Sequence, residues 1–173
     1  MPVARRLAAD ADVSVRHAFA EALSALDSLD ADLLFTIVSD EDGIALPFLS
    51  RTPALDALRA MAVLRAGGEG RQAVVASRPD LAPEVIDVIT RELSLPVNAI
   101  LLENAAAELG HGHYRVLYQR FGAEPEMLER LLTRPGLPPV IRIVQARRAA
   151  SNLHSMLDGR AWLPSAQAAE LIF

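Results

Sequence analysis

Apolar side chains along this chain recur at intervals of three and four. Val15, Ala18, Phe19, Ala22, Leu23 and Leu26 form one such series, and that period puts them on a single stripe of a helix. After the polar interruption Asp27-Ser28-Leu29-Asp30, the series resumes with Leu33, Leu34, Ile37 and Val38. Strict alternation of apolar and polar residues, the mark of a half-buried strand, is scarce. Alanine and leucine dominate, and both favour helix. The pattern predicts an all-α fold.

Helix breakers then divide the chain at short intervals. Asp10-Ala11-Asp12 precedes the first stripe, as N-caps do, because an Asp side chain accepts from the free N–H groups of a first turn. Asp40-Glu41-Asp42-Gly43 opens a short helix through Leu49, and Arg51-Thr52-Pro53 closes it. A partner helix runs from Ala54 to Ala66 and ends at Gly67-Gly68, where glycine offers the left-handed conformation that stops helices. Residues 70–77 and 83–93 form the next pair, broken at Arg78-Pro79-Asp80. Pro96–Leu109 and Tyr114–Phe121 follow, separated by Gly110-His111-Gly112-His113. Pro125–Thr133 and Pro139–Leu157 complete the series across Arg134-Pro135-Gly136-Leu137-Pro138. Proline at these places starts a helix, where its missing N–H costs nothing, or prevents one from continuing.

The punctuation repeats. Arg51, Arg78 and Arg134 each stand one or two residues before a proline, with Leu55, Leu81 and Leu137 opening the helix that follows. Asn104 holds the analogous place in the remaining unit, so the steps are 27, 26 and 30 residues. A two-helix unit of this size cannot bury both its faces alone, whereas stacking on neighbours gives a continuous core. The expectation is a short α-solenoid of about five antiparallel helix pairs over residues 1–157, followed by a C-terminal segment, 158–173. An irregular helical bundle is the alternative. Within a solenoid the turn arginines would cap carbonyls at the end of a first helix and pair with an acid on the next repeat. An exposed pair contributes only ~0.2–1 kcal/mol, so such a ladder has to be partly buried to matter. The same row of guanidinium groups could instead receive a partner's carboxylates.

Several of these segments resemble a bacterial family known as domain-of-unknown-function family 2336. The resemblance rests on Leu7-Ala8-Ala9-Asp10 through Val15-Arg16, and on Asp40-Glu41-Asp42-Gly43 through Ser50-Arg51-Thr52-Pro53-Ala54-Leu55. It continues at Arg71-Gln72, Arg78-Pro79-Asp80-Leu81, Leu101-Leu102-Glu103-Asn104 and Arg134-Pro135-Gly136-Leu137-Pro138, covering roughly residues 7–150. It implies a HEAT-like helical repeat domain with no catalytic residues to carry over. Family members often extend further at the C-terminal side, so the apolar ending Leu171-Ile172-Phe173 either docks or leads into more chain.

Composition narrows the chemistry. The 173 residues contain no cysteine, which removes disulfides, thiolate metal sites and a cysteine nucleophile. All 17 basic residues are arginine, and 22 acids leave a net charge of −5. That balance argues against a nucleic-acid grip through phosphates. The charge is unevenly spread: residues 1–50 carry 3 Arg and 9 acids, and residues 113–173 carry 8 Arg and 5 acids. Such polarity can steer a polarised partner, or two copies head to tail. No apolar run approaches the ~18 residues of a membrane span, and Met1-Pro2-Val3-Ala4-Arg5-Arg6 does not open a signal peptide. The expected location is cytoplasmic.

Few residues assemble into recognisable chemistry. His111 and His113 are the only close histidine pair beside His17 and His154, and two ligands do not make a metal site. Asp40-Glu41-Asp42 lacks the twelve-residue spacing of a calcium loop and suits a helix N-terminus. Gly67-Gly68-Glu69-Gly70 meets neither nucleotide fingerprint, and no serine sits in a nucleophile elbow. No catalytic, cofactor or metal site is expected.

The last long helix offers the best binding face. Val140, Ile141, Val144, Leu153, Met156 and Leu157 are assigned to its buried side, and Arg142, Gln145, Arg148 and Asn152 to a side facing away from the core. Tyr118 and Gln119 on the preceding helix extend that patch, and an aromatic beside arginines is the composition of an interface hot spot. Trp162 reads as a packing anchor. The expected function is a non-enzymatic protein-interaction domain, an adaptor or regulator, with self-association through exposed repeat ends as a further possibility. The alternative is a HEAT-like DNA-binding or base-excising protein, disfavoured by few aromatics and by Asp56 and Asp87 among the groove candidates.

Overall fold

A computed structural model describes residues 2–160. Among them every regular element is a helix: α1 (Pro2–Ala8), α2 (Val13–Leu23), α3 (Ala31–Val38), α4 (Asp42–Arg51), α5 (Ala57–Ala66), α6 (Glu69–Ala76), α7 (Pro83–Glu92), α8 (Leu95–Glu103), α9 (His111–Phe121), α10 (Pro125–Thr133) and α11 (Pro139–Arg160). Trp162 and most of the segment 158–173 lie outside the described residues. No helix among the described residues is long and apolar enough to cross a membrane.

The helices pack in two rows. In one, α2 lies on α4, α4 on α6, α6 on α8 and α8 on α10; in the other, α1 lies on α3, and α5, α7 and α9 follow in order. A core from Ala8 to Ala107 includes Leu34, Leu49, Leu64, Val75, Ile89 and Leu101, and a second gathers Tyr114, Leu117, Met127 and Leu131. α3 and α5 sit less closely than their row-mates, across a cleft of about 270 Å³ lined by Phe35, Val38, Ala62 and Val63.

The tightest consecutive pairs differ from those read off the sequence. They are α1–α2, α3–α4, α5–α6, α7–α8 and α9–α10, each joined by a very short link such as Gly67-Gly68 or Leu93-Ser94. The proline-containing turns form the wider connections between pairs. Gly67 ends α5 at φ −83°, not in the left-handed region. A Cβ there would lie 2.6 Å from the Val63 carbonyl oxygen, so the position needs glycine for space.

Boundaries shift where caps were misread. α1 precedes the first expected helix. α8 stops at Glu103 instead of Leu109, and α9 starts at His111 instead of Tyr114. His113 is the reason for the last difference: its Nδ1 accepts from the Gly110 N–H at 3.0 Å, closing the first turn. The acidic run at 40–42 is neutralised by arginines from neighbouring helices. Asp40 receives both Arg16 Nε and Nη2, at 2.8 and 3.1 Å, while Arg71 lies 3.1 Å from Asp42.

The hydrogen bonds from Arg16 hold the Asp40 carboxyl below its ordinary value of 3.8. Because the folded value is the lower one, the pair stabilises fully above the ordinary value, and the contribution is lost as pH falls through the folded value. Asp40→Asn should therefore lower Tm at neutral pH and flatten its fall on acidification between about pH 5 and pH 2, read by a thermal-melt series. An unchanged acid limb would assign that fall to other carboxylates.

Candidate functional site

Two arrays of polar side chains organise the surface, and they have opposite character. The first is buried and internal. Arg78, 7% exposed, donates from Nη1 to the Leu49 carbonyl at 2.7 Å and forks onto Asp80 at 3.0 and 2.8 Å. Asn104 donates from Nδ2 to the carbonyls of Ala76 and Arg78. Arg134, 9% exposed, donates to those of Leu102 and Ala107. Each turn residue thus seals the C-terminal end of the preceding helix in its row: α4, then α6, then α8. A cation at a helix C-terminus also complements the helix dipole.

Of the ladder expected at the turns, Arg78 and Arg134 make the carbonyl caps but not the ion pairs to the next repeat: Arg134 pairs with no acid among the described residues. Asp80, the acid that Arg78 meets, belongs to the same turn and not to the next repeat. Arg51 is not a rung. It is exposed, and its guanidinium lies 4.0 Å from Glu21, while the end of α2 is closed by Ser24 Oγ on the Glu21 carbonyl. The equivalent position is Thr52, fully buried, whose hydroxyl accepts from Ala54 N–H as the Asn104 side chain accepts from Ala106 N–H. Thr52 stands three residues before Leu55, the spacing Arg78 and Arg134 keep to Leu81 and Leu137, whereas Arg51 stands four before.

The other row carries its own seals. Gln72 donates to the carbonyls of Leu64 and Gly67 at the end of α5, and Asn98 to those of Ile89 and Leu93 at the end of α7. Arg71 closes α3 on the carbonyls of Val38 and Asp40, and Arg120 closes α7 on those of Thr90 and Leu93. Guanidinium groups occupied this way are not available to a ligand.

The second array is open. The turn before α11 is fixed by Gly136, whose φ of +81° suits glycine, and by the Tyr114 hydroxyl donating to the Pro135 carbonyl at 2.9 Å. From there Ile141 enters the second core, and Gln145 Oε1 accepts from the Tyr118 hydroxyl at 3.0 Å. Between α9 and α11 lies a groove of about 410 Å³, lined by Arg115, Tyr118, Gln119, Val140 and Val144 among others.

The expected stripes of α11 hold only in part: Ile141 is buried and Arg142, Arg148 and Asn152 are exposed, as expected, whereas Gln145 is half-buried. Ile141, Gln145, Arg148 and Asn152 are spaced four, three and four apart, one face of the helix. That face starts against α9 and runs past the end of the row, so Arg148 and Asn152 emerge exposed. Val140, Val144, Leu153 and Met156, assigned to the buried side, are exposed, and Leu157 lies outside the described side chains. Of the described apolar residues expected on the buried side, Ile141 alone joins the core. Tyr118, Gln119 and Gln145 are brought together at the groove, while Arg142, Arg148 and Asn152 stand on the exposed surface of α11.

Two further residues belong to this surface. Arg115 and Arg147 are exposed and, like Arg142 and Arg148, make no ion pair with any described residue. Pro139 to Met156 contains three arginines and no acid, a signal available in the sequence. Apolar side chains beside unpaired guanidinium groups can cover an apolar partner surface and receive its carboxylates.

No curated protein and no solved structure matches the chain. A family model does, over residues 44–172, leaving α1 to α3 before the matched stretch. The chain belongs to the family described as an uncharacterised protein conserved in bacteria, DUF2336.

Proposed function

We propose that this chain is a HEAT-like repeat module that binds another protein in the bacterial cytoplasm without catalysing a reaction, and that the α9–α11 surface is its binding face. The observation that carries the reading is the contrast between the two arrays. Along the two rows, most arginines are occupied by carbonyls or carboxylates. On α11 and the adjoining face of α9, Arg115, Arg142, Arg147 and Arg148 are unpaired among the described residues and stand beside exposed Val140, Ile143 and Val144. The second array is a surface with unspent donors and uncovered apolar area, which is what a partner interface supplies.

The test is affinity capture from the native cell extract with Arg142→Glu/Arg148→Glu beside the parent. Both side chains are exposed, so the far-UV spectrum and Tm should stay within the range of surface substitutions. Capture of the partner should fall at least about tenfold, since the introduced carboxylates repel the partner's carboxylates that the arginines would receive. Equal capture by parent and variant would remove this face from the reading.

A further inference from the structure

The partner's chemistry is drawn from the distribution of uncovered apolar side chains. Among the described residues, Val3, Leu7, Val13 and Leu26 are exposed at the first end of the rows, on α1, α2 and the link to α3. Val140, Ile143, Val144, Leu153 and Met156 are exposed on α11 at the other end. Leu58 is the one large exposed apolar residue between them. A stack that covers its flanks and leaves both ends apolar has two complementary sites for further stacking.

The ends also differ in charge. Residues 1–50 carry 9 acids and 3 Arg. Two of those arginines are already committed, Arg5 to Asp32 and Arg16 to Asp40. Asp27, beside Leu26, is exposed and has no partner among the described residues. The α11 end presents its unpaired arginines with no acid between Pro139 and Met156. The chain thus carries an acidic apolar end and a basic apolar end.

Resting on the reading of α11 as a binding face, we propose that its occupant is the α1–α2 end of a second copy, seated head to tail. The contact is heterologous, so it leaves one free end of each kind and propagates into a ring or a filament. Leu26 and Asp27 of one molecule meet the α9–α11 surface of the next, the carboxylate among the arginines.

Paired end variants test this. Leu26→Arg/Asp27→Arg spoils the acidic end and Arg142→Glu/Arg148→Glu the basic end. All four positions are exposed, and circular dichroism confirms that each variant folds. By light scattering from about 1 µM to about 500 µM, the parent mass should rise above the 18.7 kDa of one chain. Added salt should lower it again. Each variant alone should stay monomeric. Their equimolar mixture should stop at twice the chain mass, because one good acidic end and one good basic end remain.

A parent that is monomeric throughout overturns the proposal. So does a mixture that stays monomeric, or an acidic-end variant that assembles like the parent, which would indicate a symmetric contact through α11. A monomeric parent whose capture of a different protein depends on Arg142 and Arg148 overturns only the second copy as occupant, and the binding face stands. Loss of both assembly and capture dependence overturns both readings.

Discussion

Arg78→Ala should destabilise the fold by about 3 kcal/mol, because the deletion leaves the buried Leu49 carbonyl without its charged donor and strips Asp80 of both its bonds. Such a loss lowers Tm by about 2–4 °C per kcal/mol for a chain of this size. In urea, the midpoint should move while the slope holds, since the same surface unfolds. Arg134→Ala removes donors from the Leu102 and Ala107 carbonyls and should cost a similar amount. The control is Arg51→Ala, which shares the sequence signature but is exposed, and should stay within about 0.5 kcal/mol. Arg78→Lys should recover only part of the loss, because an ammonium group cannot hold the carbonyl and both Asp80 oxygens in one plane. An equal effect at positions 51 and 78 would mean that burial of the turn residue is immaterial.

Asn98→Asp should be at least as costly, at about 3–5 kcal/mol, with a pH dependence of opposite sign to that at Asp40. Asn98 is wholly buried, and its Nδ2 donates to the carbonyls of Ile89, Leu93 and Ser94. Its Oδ1 has no hydrogen-bond partner among the described residues, so the side chain serves there as a donor. A carboxyl of the same shape has at most one proton to offer and, once ionised, faces carbonyl oxygens in a buried site. Burial favours the neutral form, so the variant's carboxyl titrates higher in the folded chain than in the unfolded one. Stability is then best preserved at low pH and is lost as pH rises through that value. Urea midpoints measured at about pH 4 and about pH 7 should diverge for the variant far more than for the parent. Parallel shifts would mean that water reaches position 98.

Periodicity and breakers carried much of the fold. Where an apolar stripe lay between clear breakers, as from Leu33 to Val38 or Pro125 to Thr133, the helix appeared close to its expected bounds. The helices shift where a side chain acts against its usual role. His113 caps a turn from inside the helix, and Asn104 stops one early by donating across to α6. The rungs at positions 78, 104 and 134 could be read from their spacing of 26 and 30 residues. Residue type points to Arg51 as the first rung, whereas the three-residue distance to Leu55 marks Thr52. The internal seals from Arg71, Arg120, Gln72 and Asn98 had no such marker, because their acceptors are backbone carbonyls that any residue supplies. The apolar stripe of α11 stays uncovered beyond Ile141 for a related reason: periodicity gives the angle between stripes but not which stripe meets a neighbour.

The rungs point one way. Leu49 is closed by Arg78, Ala76 by Asn104 and Leu102 by Arg134, so the ends of α4, α6 and α8 are each finished by a residue encoded roughly one unit later. During synthesis, a newly made helix therefore keeps bare carbonyls until the following segment has left the ribosome. Each of these turns is the latch for the helix one unit before it, and a chain cut short of a turn lacks that latch.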